Sequence, residues 1–168
     1  MIEAIREVFW NQFGASIDML RNAIAMQPNQ YWETDKRFFY ISYHVVLFFD
    51  YNLTLPPDGF TSPLPYDLVE LSQIPEDALD DLVPKRVYSK DEILNYLSDT
   101  RERCRQFIYG LTEEKLSERW IESSGSKNYS VMEILLYNMR HVQHHAAQLN
   151  LLLRQRLNKA PGWVSKAE

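Results

Sequence analysis

The chain has little of what most alternatives to a helical protein would require. Among its 168 residues there is one cysteine, Cys104, so no internal disulfide can form and no cysteine-rich metal knuckle can be built. Flanked by Arg103 and Arg105, that thiol reads as an ordinary helix residue of a reducing compartment. Five glycines are too few for a turn-rich all-β chain. No apolar run reaches the ~20 residues a membrane-spanning helix needs. The start, Met1-Ile-Glu-Ala-Ile-Arg-Glu-Val8, lacks the cationic end and apolar stretch of a signal peptide. Together these absences predict a cytoplasmic protein with no membrane partner. An excess of basic charge is missing too: 18 Lys and Arg face 23 Asp and Glu, for a net charge of −5. With the basic residues scattered, no field draws a polyanion, and nucleic acid is not expected as a direct ligand.

What remains is ordinary globular material. Hydrophobic residues make up 45% and charged residues 24%, and the length suits a single domain over residues 1–168 that buries its core without staples. Apolar residues recur every three to four positions at Ile5, Val8, Phe9, Phe13, Ile17, Leu20 and Ile24, which predicts a first helix over 3–25 stopped by Pro28. A second helix is expected from Thr34 or Asp35 to about Leu53, where Pro56-Pro57-Asp58-Gly59 breaks it. It is apolar on most sides and should be buried.

Residues 54–88 hold six of the eight prolines, so they read as a long connection with a short helical turn near Pro75 to Leu82. Ser89-Lys-Asp-Glu92 is a capping box opening a third helix that runs to Gly110. A short helical turn follows around Thr112 to Leu116. A second capping box, Ser130-Val-Met-Glu133, opens a fourth helix that continues to about Leu157, with Pro161-Gly162 marking its end. The expected fold is an all-α four-helix bundle with a long crossover between helices 2 and 3.

The chemistry concentrates in the histidines. His141 and His145 are one helical turn apart, so both imidazoles share a face. With His141 at zero on a wheel of about 100° per residue, His145 falls at about 40° and the core positions Val142 and Leu149 at about 100° and 80°. Both rings thus enter or border the core stripe, whereas His144, at about 300°, points away from it. The third inward ring should be His44, in the middle of the most apolar helix between Ile41, Val45, Leu47 and Phe48.

Buried polar rings cost free energy unless they are hydrogen-bonded or bound to something. Two accounts therefore stand: satisfied core histidines, or ligands of one ion. Three neutral imidazoles with an open fourth position make a catalytic shell of the zinc type, since no cysteine or evident carboxylate offers itself to close the site. The Glu that follows the first histidine of a zinc peptidase is absent, Val142 standing there. Gln148, three residues after His145, is placed to orient a ligand ring, and Tyr137 and Tyr40, each one turn before a ligand, could bring a phenol near the ion. For the tyrosines, as for Trp10, Trp32, Trp120 and Trp163, a packing role is the competing account.

A histidine in the second helix, a Pro-rich crossover and a capped last helix carrying His141-Val-Gln-His-His145 with Gln148 together resemble the DinB-like family of metalloenzymes. The resemblance implies an up-down-down-up four-helix bundle with a divalent metal, zinc or nickel foremost, held by His44, His141 and His145. It also implies a small-molecule substrate, a low-molecular-weight thiol as cosubstrate for an S-transferase or else a hydrolase, and pairing into a homodimer. A non-catalytic, stress-related metal-binding or structural bundle is the alternative. Many relatives carry Arg-Gly between the tandem histidines and the glutamine, where this chain has Ala146-Ala147; the ligands are kept, while any chemistry that depends on the arginine is put in question.

Overall fold

A computed structural model describes residues 1–167. Its order is α1 (Ile2–Met26), α2 (Asn29–Trp32), α3 (Lys36–Tyr51), β1 (Tyr66–Leu68), β2 (Leu82–Pro84), α4 (Lys90–Tyr109), α5 (Glu113–Ser117), β3 (Arg119–Ile121), β4 (Asn128–Ser130) and α6 (Val131–Leu157). Helix dominates, as the periodicity predicts, and no helix is long and apolar enough to cross a membrane. α1 packs against α6 and α4, and α3 packs against the same two.

The apolar period of α1 buries Phe9, Phe13, Ile17, Leu20 and Ile24. Phe13 alone, fully buried, contributes roughly 1.5–3 kcal/mol over an exposed ring. Val8 departs from the expected stripe and is 61% exposed. α3 starts where Asp35 accepts a bond from the Phe38 amide at 3.2 Å, satisfying a donor the first turn leaves orphaned. Ser89 and Glu92 form the full reciprocal capping box of α4. At α6 only the Ser130 half forms, its hydroxyl accepting from the Glu133 amide at 3.2 Å. α6 ends at Asn158, whose left-handed φ of 55° stops the helix with a residue that tolerates it.

The connection differs from expectation in an instructive way. The helical turn expected near Pro75 to Leu82 lies earlier, as one turn of 3₁₀ helix at Leu71–Gln73, and Leu82–Pro84 is a strand pairing antiparallel with Tyr66–Leu68. Asp80 accepts from the Leu82 amide at 2.9 Å, a side-chain turn that starts the strand instead of a helix. A second hairpin, β3 with β4, precedes α6, and neither hairpin is visible in the apolar pattern, because three-residue strands carry too few alternations to register.

The connection is nonetheless anchored. Tyr43 donates its hydroxyl to the Leu64 carbonyl at 2.7 Å, and the Trp32 indole donates to the Tyr88 carbonyl at 2.8 Å. After α6 the chain turns back across α1, where the Ala167 amide bonds the Asn11 carbonyl at 3.0 Å. Gly14 permits this approach: a Cβ there would lie 2.5 Å from that of Ala167.

Candidate metal centre

α3 and α6 lie side by side, pinned by Asn138, which is fully buried and donates from its amide to the Phe49 carbonyl at 2.9 Å. Losing that bond would leave a buried carbonyl unpaired, so the register of the two helices is held where it matters. One turn further along α6 from Asn138 comes His141, and one turn beyond that His145.

Against them α3 sets His44. The ring centroids are 5.1 Å apart for His44 and His141, 4.8 Å for His44 and His145, and 4.5 Å for His141 and His145. The three rings singled out in the sequence are brought together, and their facing nitrogens all lie within 4.8 Å of one another. His44 Nε2 and His141 Nε2 are 3.0 Å apart. Tetrahedral ligands about 2.0–2.1 Å from a zinc ion stand about 3.4 Å apart, so small side-chain rotations suffice to seat one ion among the three.

The outward nitrogens decide which inward ones are free. His145 Nδ1 lies 2.7 Å from the Gln148 amide oxygen, an acceptor, so Nδ1 carries the proton and Nε2 keeps its lone pair. Gln148 thus stands where the helical spacing puts it. His44 Nδ1 lies 2.5 Å from Asp80 Oδ2, which fixes the ring in the same way and leaves its Nε2 toward the other histidines. His141 Nδ1 is buried without a partner among the described residues.

Asp80 is the residue that sequence reasoning missed. It sits in the Pro-rich connection, 36 positions from His44, and no periodicity relates the two. Although its neighbours Ile41, Val45, Leu47 and Phe48 are apolar, His44 is not sealed on every side. The His44 side chain is 17% exposed, and the connection brings the Asp80 carboxylate to its Nδ1.

The electrostatics favour the ligating form of the rings. Burial, and then the neighbouring imidazoles His145 and His44, push His141 down to about 3. His145 is pushed down to about 4, again by burial first and then by His44, against the raising pull of the Gln148 bond. Both are neutral at pH 7, with lone pairs available. Three convergent imidazoles, two of them anchored from behind by acceptors, fit a divalent cation.

The remaining residues lie around this cluster rather than in it. His144 is exposed, its ring 5.0 Å from that of His145. Tyr137 stacks on Tyr129 with centroids 5.9 Å apart. Tyr40 packs against Phe39 at 5.5 Å, and its phenol is raised by burial and by the charge of Asp77. Phe48 supplies an apolar wall, its ring 4.7 Å from His44 and 6.0 Å from His141.

Two cavities flank the centre. The larger, about 670 Å³, runs between the outer side of α6, α1 and Trp163, and touches the cluster only at His141. The smaller, about 380 Å³, lies behind Phe48 and is roofed by the connection and the second hairpin. The smaller one is the better neighbour for chemistry, because its wall Phe48 contacts two of the three rings.

The family model of the DinB superfamily matches residues 38–149, a span that takes in most of α3, the whole connection and the three histidines. No curated protein matches the chain.

Proposed function

Because this chain belongs to the DinB superfamily, and because its three inward histidines converge, we propose that it is a metal-dependent enzyme whose divalent ion is held by His44, His141 and His145. The helices are read as an up-down-down-up bundle with the ion between the second and fourth long helices. The observation that carries the reading is the convergence of three imidazoles, two of them held from behind by Asp80 and Gln148.

An ion held by His44, His141 and His145 would supply Lewis acidity, lowering the pKa of a thiol or water. The chain's own residues do the rest. Asp80 and Gln148 hold protons on the outward nitrogens, so His44 and His145 present lone pairs and not N–H groups. Phe48 excludes water from one side of the rings. The connection closes over the site and contributes Phe60, Tyr66 and Asp81 to the adjoining cavity, which makes it the place for a small-molecule substrate.

Transfer to a low-molecular-weight thiol is the reaction class we favour, with hydrolysis second; zinc and nickel are the expected ions, the cytoplasm the expected compartment and a homodimer the expected assembly. One observation favours a non-catalytic bundle instead: at 3.0 Å, His44 and His141 could hydrogen-bond each other without an ion. Elemental analysis and zinc titration of protein made without a histidine tag, followed by a thiol-transfer screen of the loaded form, separate the two. One equivalent of zinc, lost in His141→Ala, is expected; absence of stoichiometric binding removes the enzyme reading.

A further inference from the structure

The cavity behind Phe48 has a composition the metal centre does not account for. Three of its walls are aromatic and meet nearly at right angles: Phe48 against Tyr51 at 88° with centroids 6.1 Å apart, and Tyr51 against Phe60 at 77° and 5.4 Å. Tyr66, from β1, adds a fourth ring to the lining. Trp120 buttresses Tyr51 from behind at 5.4 Å, so the corner is held by packing and does not depend on a ligand.

Charge also lines this corner. Asp81 and Glu122 both line it, against one cation, Lys127. The Lys127 ammonium is engaged by Glu122 at 3.4 Å, and Glu122 is further tied by the Ser124 and Ser126 hydroxyls, which hold its carboxyl below the usual range. Asp81 has no side-chain partner among the described residues, and its charge is uncompensated. Consecutive residues of the connection thus divide their work: Asp80 turns to His44, and Asp81 faces the cavity.

We propose that this cavity is a binding site for an organic ammonium ion, received by the faces of Phe48, Tyr51, Phe60 and Tyr66 and neutralised by Asp81. Aromatic faces carry negative quadrupole density and attract a cation most strongly where it is desolvated, and an unpaired carboxylate in the lining completes the charge balance. The volume of about 380 Å³ suits a small alkylammonium group with a short chain. The chain would then run past Phe48 toward the histidines. In that last respect alone the inference rests on reading the histidines as the reactive centre, since it makes the cation the head group of that centre's substrate.

The test is calorimetric titration of the full chain, zinc-loaded and chelator-treated, with choline, with its neutral isostere 3,3-dimethylbutan-1-ol, and with butyrate. Choline is expected to bind both forms, about tenfold tighter than the neutral isostere, with butyrate weakest. Asp81→Asn and Phe60→Leu, both at half-exposed positions, are each expected to weaken choline about five- to tenfold. Circular dichroism of each variant reports that it has folded. Equal binding of choline and the isostere, stronger binding of butyrate, or an unchanged choline affinity in folded Asp81→Asn overturns the proposal. Zinc titration of the same samples reads the histidines separately. Choline binding without zinc uptake keeps the cage and removes the metal reading, whereas zinc uptake without choline binding removes the cage alone.

Discussion

Between α1 and α4 the core buries the carboxylate of Asp18, and Arg101 answers it with two parallel bonds of 3.0 Å while its guanidinium lies 4.9 Å over the Trp10 ring. Between α3 and α6 it buries imidazoles, and there the account does not close. The inward nitrogens of three rings point at one another with no protein acceptor or donor set among them to absorb all three. In the first arrangement both carboxylate oxygens are bonded inside the protein, so it stabilises and leaves the carboxylate no inward group to offer a ligand. The second holds back lone pairs in a place that costs free energy, and such a cost is tolerated where a ligand recovers it. Asp50, also buried, belongs with the first kind: Tyr96 donates to it at 2.8 Å and Arg103 pairs with it.

The contrast is broken most forcefully at His141. His141→Ala should lower zinc affinity on the order of a thousandfold, roughly one ligand's share of a structural zinc site, while moving the stability of the metal-free protein by only about 1 kcal/mol. Competition with a chelator reads the first quantity and urea unfolding the second.

The converse is expected at the closed pair. Asp18→Ala removes both bonds between this carboxylate and Arg101 and should cost about 3 kcal/mol of stability with zinc affinity unchanged, read as a lower urea midpoint. If Asp18→Ala instead abolished zinc binding in folded protein, the two regions would not be separable in the way their geometry argues.

A finer effect belongs to the groups behind the rings. Asp80→Asn and Gln148→Ala should each weaken zinc by about 10- to 100-fold, because the ring they orient is left free to rotate or change tautomer. Spectroscopy of cobalt-substituted protein would show the altered coordination directly. An unchanged affinity in both variants would mean that the rings are oriented by packing alone.

The gentlest perturbation is acid. In metal-free protein the folded pKa values of His141 and His145, about 3 and about 4, lie below the 6.5 of an unperturbed imidazole. Below pH 6.5 the unfolded chain therefore binds protons that the folded chain refuses, and stability rises with pH. Their contribution is complete above pH 6.5 and is lost as the pH falls toward those folded values, so the melting temperature of chelated protein should decline modestly from pH 7 to pH 6 and further toward pH 4. Asp18→Ala should keep this slope, and His141→Ala should reduce it.

Much of this was legible beforehand, and for a local reason. Helix periodicity, the Ser89 and Ser130 caps and the four-residue step from His141 to His145 are relations within one turn, and the backbone makes them spatial without help from the rest of the fold. His44 could be singled out because a polar ring in so apolar a helix needs a partner. The two hairpins were not legible, since strands of three residues leave no periodic trace, and neither were Asp80 and Asp81, whose positions depend on how a connection of some 35 residues folds over the helices.

The order of residues by itself determined the helices, their ends, the family and which imidazoles turn inward, because each depends on neighbours a few positions away. Only the tertiary structure decided that α3 lies against α6 so that the three rings meet, that Asp80 takes the outward nitrogen of His44, and that Asp81 is left in the lining of an aromatic corner. Those pairings join residues tens of positions apart, and the packing of the core and the burial of polar groups select them where no local preference can.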